Sequence, residues 1–289
     1  MKPFFFPIVL LLLAARLHAE LPFETVFKGR EKFDALVAQA AAWQQYPIGT
    51  RTALAGRALA GTPYKGFTLE IDDRIEAPSV NFHGLDCWTF FETSLALARM
   101  LDTPREQWTP ATLLRFIELD RYRGGQCDGT YLSRLHYLED WIHDNDRRGL
   151  VTDLTRTLGG ERTSHTTGEM TINWRTYRYL RANPALRPMI RAMEERVEAM
   201  PLYHIPKSRV ASIEPSLRSG DVIGITTKDP GGTGTSHVGI AYRTPDGVLR
   251  FMHASAPRNH GRVVLDSRLS EYLNRFRTNA GIIVARPLR

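Results

Sequence analysis

Cysteine is scarce in this chain, with two among 289 residues, Cys87 and Cys127. So few exclude a disulfide-built scaffold and a cysteine-only structural zinc site. One disulfide between them stays open as an alternative. Pairing would abolish the nucleophilicity of Cys87, which stands in the most motif-like stretch, so two free thiols are expected. No long apolar run follows the first 20 residues, which argues against a later membrane-spanning helix. Runs of Lys and Arg are missing too. The 38 basic residues outnumber 31 acidic ones but are scattered, so a nucleic-acid partner is not expected. A mildly positive surface instead suits anionic partners such as cell-wall polymers or phospholipid headgroups. No repeat or low-complexity linker interrupts the chain.

What is present begins with a leader. Lys2 precedes an almost wholly apolar stretch from Phe4 to Ala15, and Leu17-His18-Ala19 offers a small residue for cleavage. Residues 1–19 are expected to be a secretory signal peptide, the alternative being an uncleaved anchor. Export across the inner membrane to the periplasm follows, with no stable membrane insertion after cleavage. Residues 20–289 are then long enough for one large domain with an insertion.

Apolar spacing predicts helices over 31–46 and 51–60, the latter stopped by Gly61-Thr62-Pro63, and a short strand from Phe67 to Ile71. A further helix begins near Cys87, with Asp86 as its cap. Residues 101–205 read as a mainly helical insertion, with candidates at 109–120, 133–145 and 184–199. From 219 the pattern changes to strands, at 221–225, 237–243, 248–254, 261–265 and 280–286. Helices first and antiparallel strands afterwards predict an α+β fold.

Two of the predicted strands carry His237 and His253, joined through Thr244-Pro245-Asp246-Gly247. A turn centred on Pro245 would oppose the two histidines directly. A register two residues away would oppose His237 to Ser255 and leave His253 as a diagonal neighbour on the same face. A one-residue slip would split them between faces. With both on one face near Cys87, the residues equip a cysteine hydrolase. Cys87 Sγ attacks an amide carbonyl, His237 handles the thiol proton, and His253 orients His237. The backbone N–H of Cys87 stands ready for the oxyanion. His136 and His143 lack a third ligand, and neither a metal nor an organic cofactor is expected.

Five short motifs occur in order: Gly61-Thr62-Pro63-Tyr64, Asp86-Cys87, Gly220-Asp221-Val222, Ser236-His237-Val238-Gly239-Ile240 and His253-Ala254-Ser255. Together they resemble the NlpC-type papain-like cell-wall hydrolases. Leu69-Glu70, Trp88-Thr89-Phe90 with Glu92, Ser133-Arg134-Leu135-His136-Tyr137 and Gly159-Gly160 extend the likeness to the N-acetylmuramoyl-L-alanine amidase-like branch. The resemblance implies a papain-like arrangement, with N-terminal helices and the nucleophile helix packed on a C-terminal antiparallel sheet. It implies Cys87, His237 and His253 as catalytic residues, with Tyr64 lining the site. The implied reaction cuts between the lactyl group of N-acetylmuramic acid and L-Ala in muropeptides, including anhydro forms, during wall turnover. An endopeptidase cutting after γ-D-Glu and a non-catalytic wall-binding protein are the alternatives. Asp86, Arg134 and Ser236 are further candidate substrate contacts, although capping accounts for Asp86 and an interdomain contact could account for Arg134. The chain departs from the pattern at Trp88 and at Gly231-Gly232-Thr233-Gly234-Thr235.

Overall fold

The computed structural model describes residues 21–228 and 234–288; the expected leader and Gly231 to Thr233 lie outside them. Helices α1 (Arg30–Ala40), α2 (Ile48–Ala58) and α3 (Cys87–Met100) come first. Helices α4 (Pro110–Arg121), α5 (Leu138–Arg147) and α6 (Leu186–Ala199) belong to the intervening region. That region also holds strands β1 (Val151–Asp153), β2 (Glu161–Thr163) and β3 (Leu202–Pro206). The C-terminal part adds β4 (Val222–Thr227), β5 (Gly234–Arg243), β6 (Leu249–Ala254), β7 (Val263–Arg268), helix α7 (Leu269–Arg275) and β8 (Asn279–Pro287). The fold is α+β, a mixed set of helices with an antiparallel sheet.

The sheet runs β2-β3-β8-β4-β5-β6-β7, with β1 also paired to β8. Alternation along the strands divides the core into two faces. Val222, Val238, Ile240, Met252 and Ile283 join Phe90, Leu95 and Leu97 of α3 in one cluster. Ile223, Ile225, Ala241, Phe251 and Ile282 join Leu269 and Leu273 of α7 in another. Helix α3 is buried from Thr89 to Met100 because it lies between α2, α4 and the sheet. Gly56 of α2 makes the close approach possible, since a Cβ there would stand 2.7 Å from Met252 Cε and 3.1 Å from Phe90 Cζ.

Several expectations change. Phe67 to Ile71 forms no strand; Phe67 to Leu69 lie in a turn, with Phe67 at φ 57°. Its apolar character serves the wall of a cavity rather than a ladder. The helix expected from 133 starts at Leu138, because Arg134 is extended and bridges Tyr122. The strands within 151–206 were not visible in the sequence as such. They are short segments that gain hydrogen bonds only by adding to β8 and to one another.

Charge burial ties the intervening region to α3. Arg121 Nε donates to Glu92 at 2.8 Å, and Arg99 Nε to Asp120 at 3.0 Å. Both ion pairs are essentially excluded from solvent. Glu92, whose sequence left its role open, is thereby a structural partner of Arg121. The Gly-Asp motif is structural as well. A Cβ on Gly220, which sits at φ +92°, would fall 2.0 Å from Gly49 O, and Asp221 accepts both Arg286 Nε and Nη2 at 2.8 Å.

Candidate active site

Asp86 starts α3 with a reciprocal cap. Its Oδ1 accepts Thr89 N at 2.8 Å, and its own N–H donates to Thr89 Oγ1 at 3.0 Å. The first residue of the helix is thereby fixed, and that residue is Cys87. Its thiol is half-buried and free, as is Cys127. The backbone groups of Val238, Trp88 and Cys87 itself favour the thiolate and oppose the effect of burial. The Val238 amide belongs to β5 just ahead of its ladder with β6, which runs over Ile240–Arg243.

The hairpin takes the two-residue-shifted register. Ile240 pairs with Met252 and Arg243 with Leu249, with Thr244 N–H closing the turn on Val248 O. His237 and His253 are therefore diagonal neighbours, not directly opposed. A bulge in β5 beside β4, where the pairing passes from Ile225↔His237 to Thr226↔Thr235, turns His237 toward its partner. Their rings meet edge to face at 4.7 Å, with His237 Nε2 2.6 Å from His253 Nδ1. Phe251 stacks on His253 at 4.8 Å and Tyr272 of α7 closes over both rings.

One cavity of about 450 Å³ is lined by Tyr64, Cys87, Ser236, His237, His253 and Tyr272, among others. Its described lining contains no carboxylate. Ser236 is exposed on the wall, 3.5 Å from Ile225 O. A second cavity adjoins it through Tyr64 and reaches Asp86, Trp88 and Arg134. Arg134 is 4% exposed and its guanidinium is met within the protein. Nη1 donates to Leu69 O at 3.1 Å, Nη2 to Glu70 at 2.9 Å, and Glu76 lies 3.7 Å away. The guanidinium expected to contact substrate is instead occupied by carboxylates of the fold. Tyr137 is similarly engaged, donating to Glu194 at 2.6 Å.

Electrostatics keep the reacting groups neutral at rest. Burial, with the adjacent Asp86 carboxylate, pushes the Cys87 thiol up to about 12. Burial and the neighbouring His253 lower His237 to about 3. His253 is lowered as well, mainly by burial. Tyr64 is raised to about 12 by burial and by Cys87 and Asp86, so its hydroxyl remains a donor. The sign of the pH dependence follows. An unfolded histidine protonates near 6.5, whereas folded His237 stays neutral to about 3. The unfolded chain thus binds the extra proton, and stability falls as pH drops from 6.5 toward 3. Urea unfolding from pH 6 to pH 4 is expected to show a slope that His237→Gln reduces by about 1.4 kcal/mol per pH unit. An unchanged slope would contradict a neutral buried His237.

Comparison with known proteins gives the family. The profile of the AmiA-like family, described as N-acetylmuramoyl-L-alanine amidase-like, matches residues 54–282. This chain belongs to that family. The amidase-like match spans every residue of the site described above. An N-acetylmuramoyl-L-alanine amidase from Bacteroides uniformis is 29% identical, with 84% of this chain and 99% of that one covered at a TM-score of 0.73. A Bacteroides fragilis protein provisionally named a xylanase is 32% identical over 81% and 99% of the two chains, TM-score 0.72. A Legionella pneumophila protein at 19% identity, covering 90% and 95%, shares the fold with a TM-score of 0.67. None of the curated proteins compared matches the chain.

One residue of the site escaped sequence reasoning. Asp266 Oδ2 lies 3.3 Å from His253 Nε2 and completes a line from His237 through His253. The predicted strand 261–265 stopped one residue short of it, whereas β7 continues to Arg268. Since His253 pairs with Val264, the residue two further along falls on the same face. Alternation from Val264 points to position 266, but the pairing of this third strand, which slips between Arg250 and Met252, was needed to place it.

Proposed function

We propose that this family member is a cysteine amidase of papain-like design that hydrolyses the N-acetylmuramoyl-L-alanine bond of peptidoglycan fragments, anhydro-muropeptides included. The observation that carries the reading is the half-buried Cys87 thiol at a capped helix start, in one cavity with the hydrogen-bonded His237–His253 pair. His237 accepts the thiol proton as Sγ attacks the lactyl carbonyl. The oxyanion is met by the Cys87 N–H at the helix start and by the Tyr64 hydroxyl. Collapse breaks the C–N bond, and the proton on His237 passes to the leaving L-Ala nitrogen. Water, deprotonated by His237, then cleaves the thioester and returns the thiol. Asp86, Arg134 and Ser236 shape the two cavities in which sugar and peptide would lie. The leader over residues 1–19 supports action in the periplasm.

A glycosidase reading, prompted by the xylanase name of one relative, would ask for two carboxylates flanking a sugar bond. The described residues lining the Cys87 cavity offer none. The endopeptidase reading uses the same chemistry on another bond, and products separate it. Purified protein incubated with defined anhydro-muropeptides is expected to release free stem peptide and the intact sugar, as read by mass spectrometry. A dipeptide left on the sugar would overturn the assignment in favour of cleavage after γ-D-Glu. Xylan breakdown without muropeptide turnover would overturn the amidase chemistry altogether.

A further inference from the structure

Asp266 sits behind His253, away from the thiol, and its two oxygens meet different neighbours. Oδ1 accepts Ser267 N at 2.6 Å and Arg275 Nη2 at 3.0 Å. Oδ2 faces His253 Nε2 at 3.3 Å, His260 Nε2 at 3.4 Å and Arg275 Nη1 at 3.3 Å. The carboxylate is nearly buried, at 5% side-chain exposure, and its pKa is held below the ordinary carboxylate range by these hydrogen bonds and by Arg275.

We infer that Asp266 is a positioning residue that sets the tautomer of both histidines and so makes His237 a base toward Cys87. A neutral imidazole has one N–H and one lone pair, and an ionised carboxylate can only accept. His253 must then carry its proton on Nε2, pointing at Asp266. Its Nδ1 is left as a lone pair 2.6 Å from His237 Nε2, which must therefore be the donor. The lone pair of His237 is displaced to Nδ1, the ring nitrogen left for the thiol. Reversing the chain protonates His237 Nδ1, and the base disappears without any atom leaving the site. The inference rests on the proposed role of Cys87 and His237 for its catalytic consequence, but the tautomers themselves can be measured without any substrate.

Asparagine at 266 provides a test that a merely structural role would fail. Oδ1 faces two donors, Ser267 N–H and Arg275, so the amide oxygen is held there. The amide nitrogen then takes the place of Oδ2 and donates to His253 Nε2. That forces the proton of His253 onto Nδ1 and inverts the chain. Asp266→Asn, the isosteric change, is accordingly expected to lower kcat by about 10,000-fold, the scale of a misdirected histidine in a hydrolase triad. Asp266→Ala, which leaves His253 free to take either tautomer, should lower it by only about tenfold. Removing the misdirected ring by adding His253→Ala to Asp266→Asn should restore rate relative to Asp266→Asn alone.

The direct readout is nitrogen-15 NMR of histidine-labelled protein at pH 7.5, with resonances assigned by His237→Gln and His253→Gln. Wild type should show both rings protonated at Nε2, and Asp266→Asn should show both protonated at Nδ1. Wild-type His253 protonated at Nδ1 would overturn the inference, as would Asp266→Asn proving milder than Asp266→Ala. Normal tautomers in a wild type whose Cys87 resists iodoacetamide and which lacks turnover would remove the proposed amidase chemistry while sustaining the role of Asp266 in proton placement.

Discussion

His237→Ala is expected to lower kcat/KM on a muropeptide by about 10,000-fold, and His253→Ala by only about 10- to 100-fold. The difference arises from the order of the chain. His237 and His253 both line the cavity with Cys87 and are joined by a 2.6 Å contact; in the proposed order His237 takes the thiol proton and His253 acts through it. Since burial holds the thiol near 12 and His237 near 3, the resting site is a thiol beside a neutral imidazole, not a preformed ion pair. On the proposed roles, attack then requires His237 to take the proton in the same step. Cys87→Ala should abolish turnover to the background set by the oxyanion donors and by binding. Iodoacetamide labelling supplies an independent check. Cys87 should label more slowly in His237→Ala than in wild type at pH 7.5. Equal rates for the two histidine variants, in turnover or in labelling, would contradict the roles assigned to them.

The sequence allowed this much because the residues of the proposed chemistry lie in local patterns. Asp86-Cys87-Trp88-Thr89 spells a reciprocal helix cap, so the position of the thiol at a helix start is legible without tertiary information. The two histidines stand at alternating strand positions on either side of a turn, which restricts them to a few registers. Choosing among those registers was another matter. The turn places Arg243 opposite Leu249, and the bulge between His237 and Thr235 depends on pairing with β4, a strand outside the hairpin. Asp266 was missed for the same reason, since its relation to His253 passes through a third strand with its own bulge between Arg250 and Met252. Phe67-Thr68-Leu69 has the composition of a strand yet turns with a positive φ at Phe67, where its neighbours in the cavity wall outweigh its propensity. Arg134 illustrates a limit of residue type. Arginine suits a substrate carboxylate as well as a protein one, and only the fold reveals that Glu70 and Glu76 already occupy it.

The second large effect is on stability and concerns the seam between α3 and the intervening region. Glu92→Ala leaves Arg121 buried without its carboxylate, and such half-pairs destabilise by about 3–5 kcal/mol. In a domain of this size that lowers Tm by roughly 10 °C. Arg121 is 1% exposed and its remaining hydrogen bonds are to Ser79, O at 2.9 Å and Oγ at 3.5 Å, so water cannot replace what is lost. The pair itself is a different quantity from the cost of halving it. Burial raises the Glu92 pKa while Arg121 opposes that rise, and one carboxylate oxygen, Oε1, has no hydrogen-bond partner. Desolvation therefore consumes much of the attraction. Glu92→Met with Arg121→Met should recover most of the loss seen for Glu92→Ala alone, because two apolar side chains of similar volume remove both desolvated charges. Differential scanning calorimetry on the wild type, the single variants and the double variant measures this. A double variant as unstable as Glu92→Ala alone would mean that the ion pair contributes net stability over its apolar replacement, whereas a loss equal to the sum of the single losses would mean that the two side chains are not coupled. A recovered double variant with reduced turnover would place its value in alignment instead, since α3 carries Cys87 at its first position and a shift of that helix moves the sulfur relative to His237.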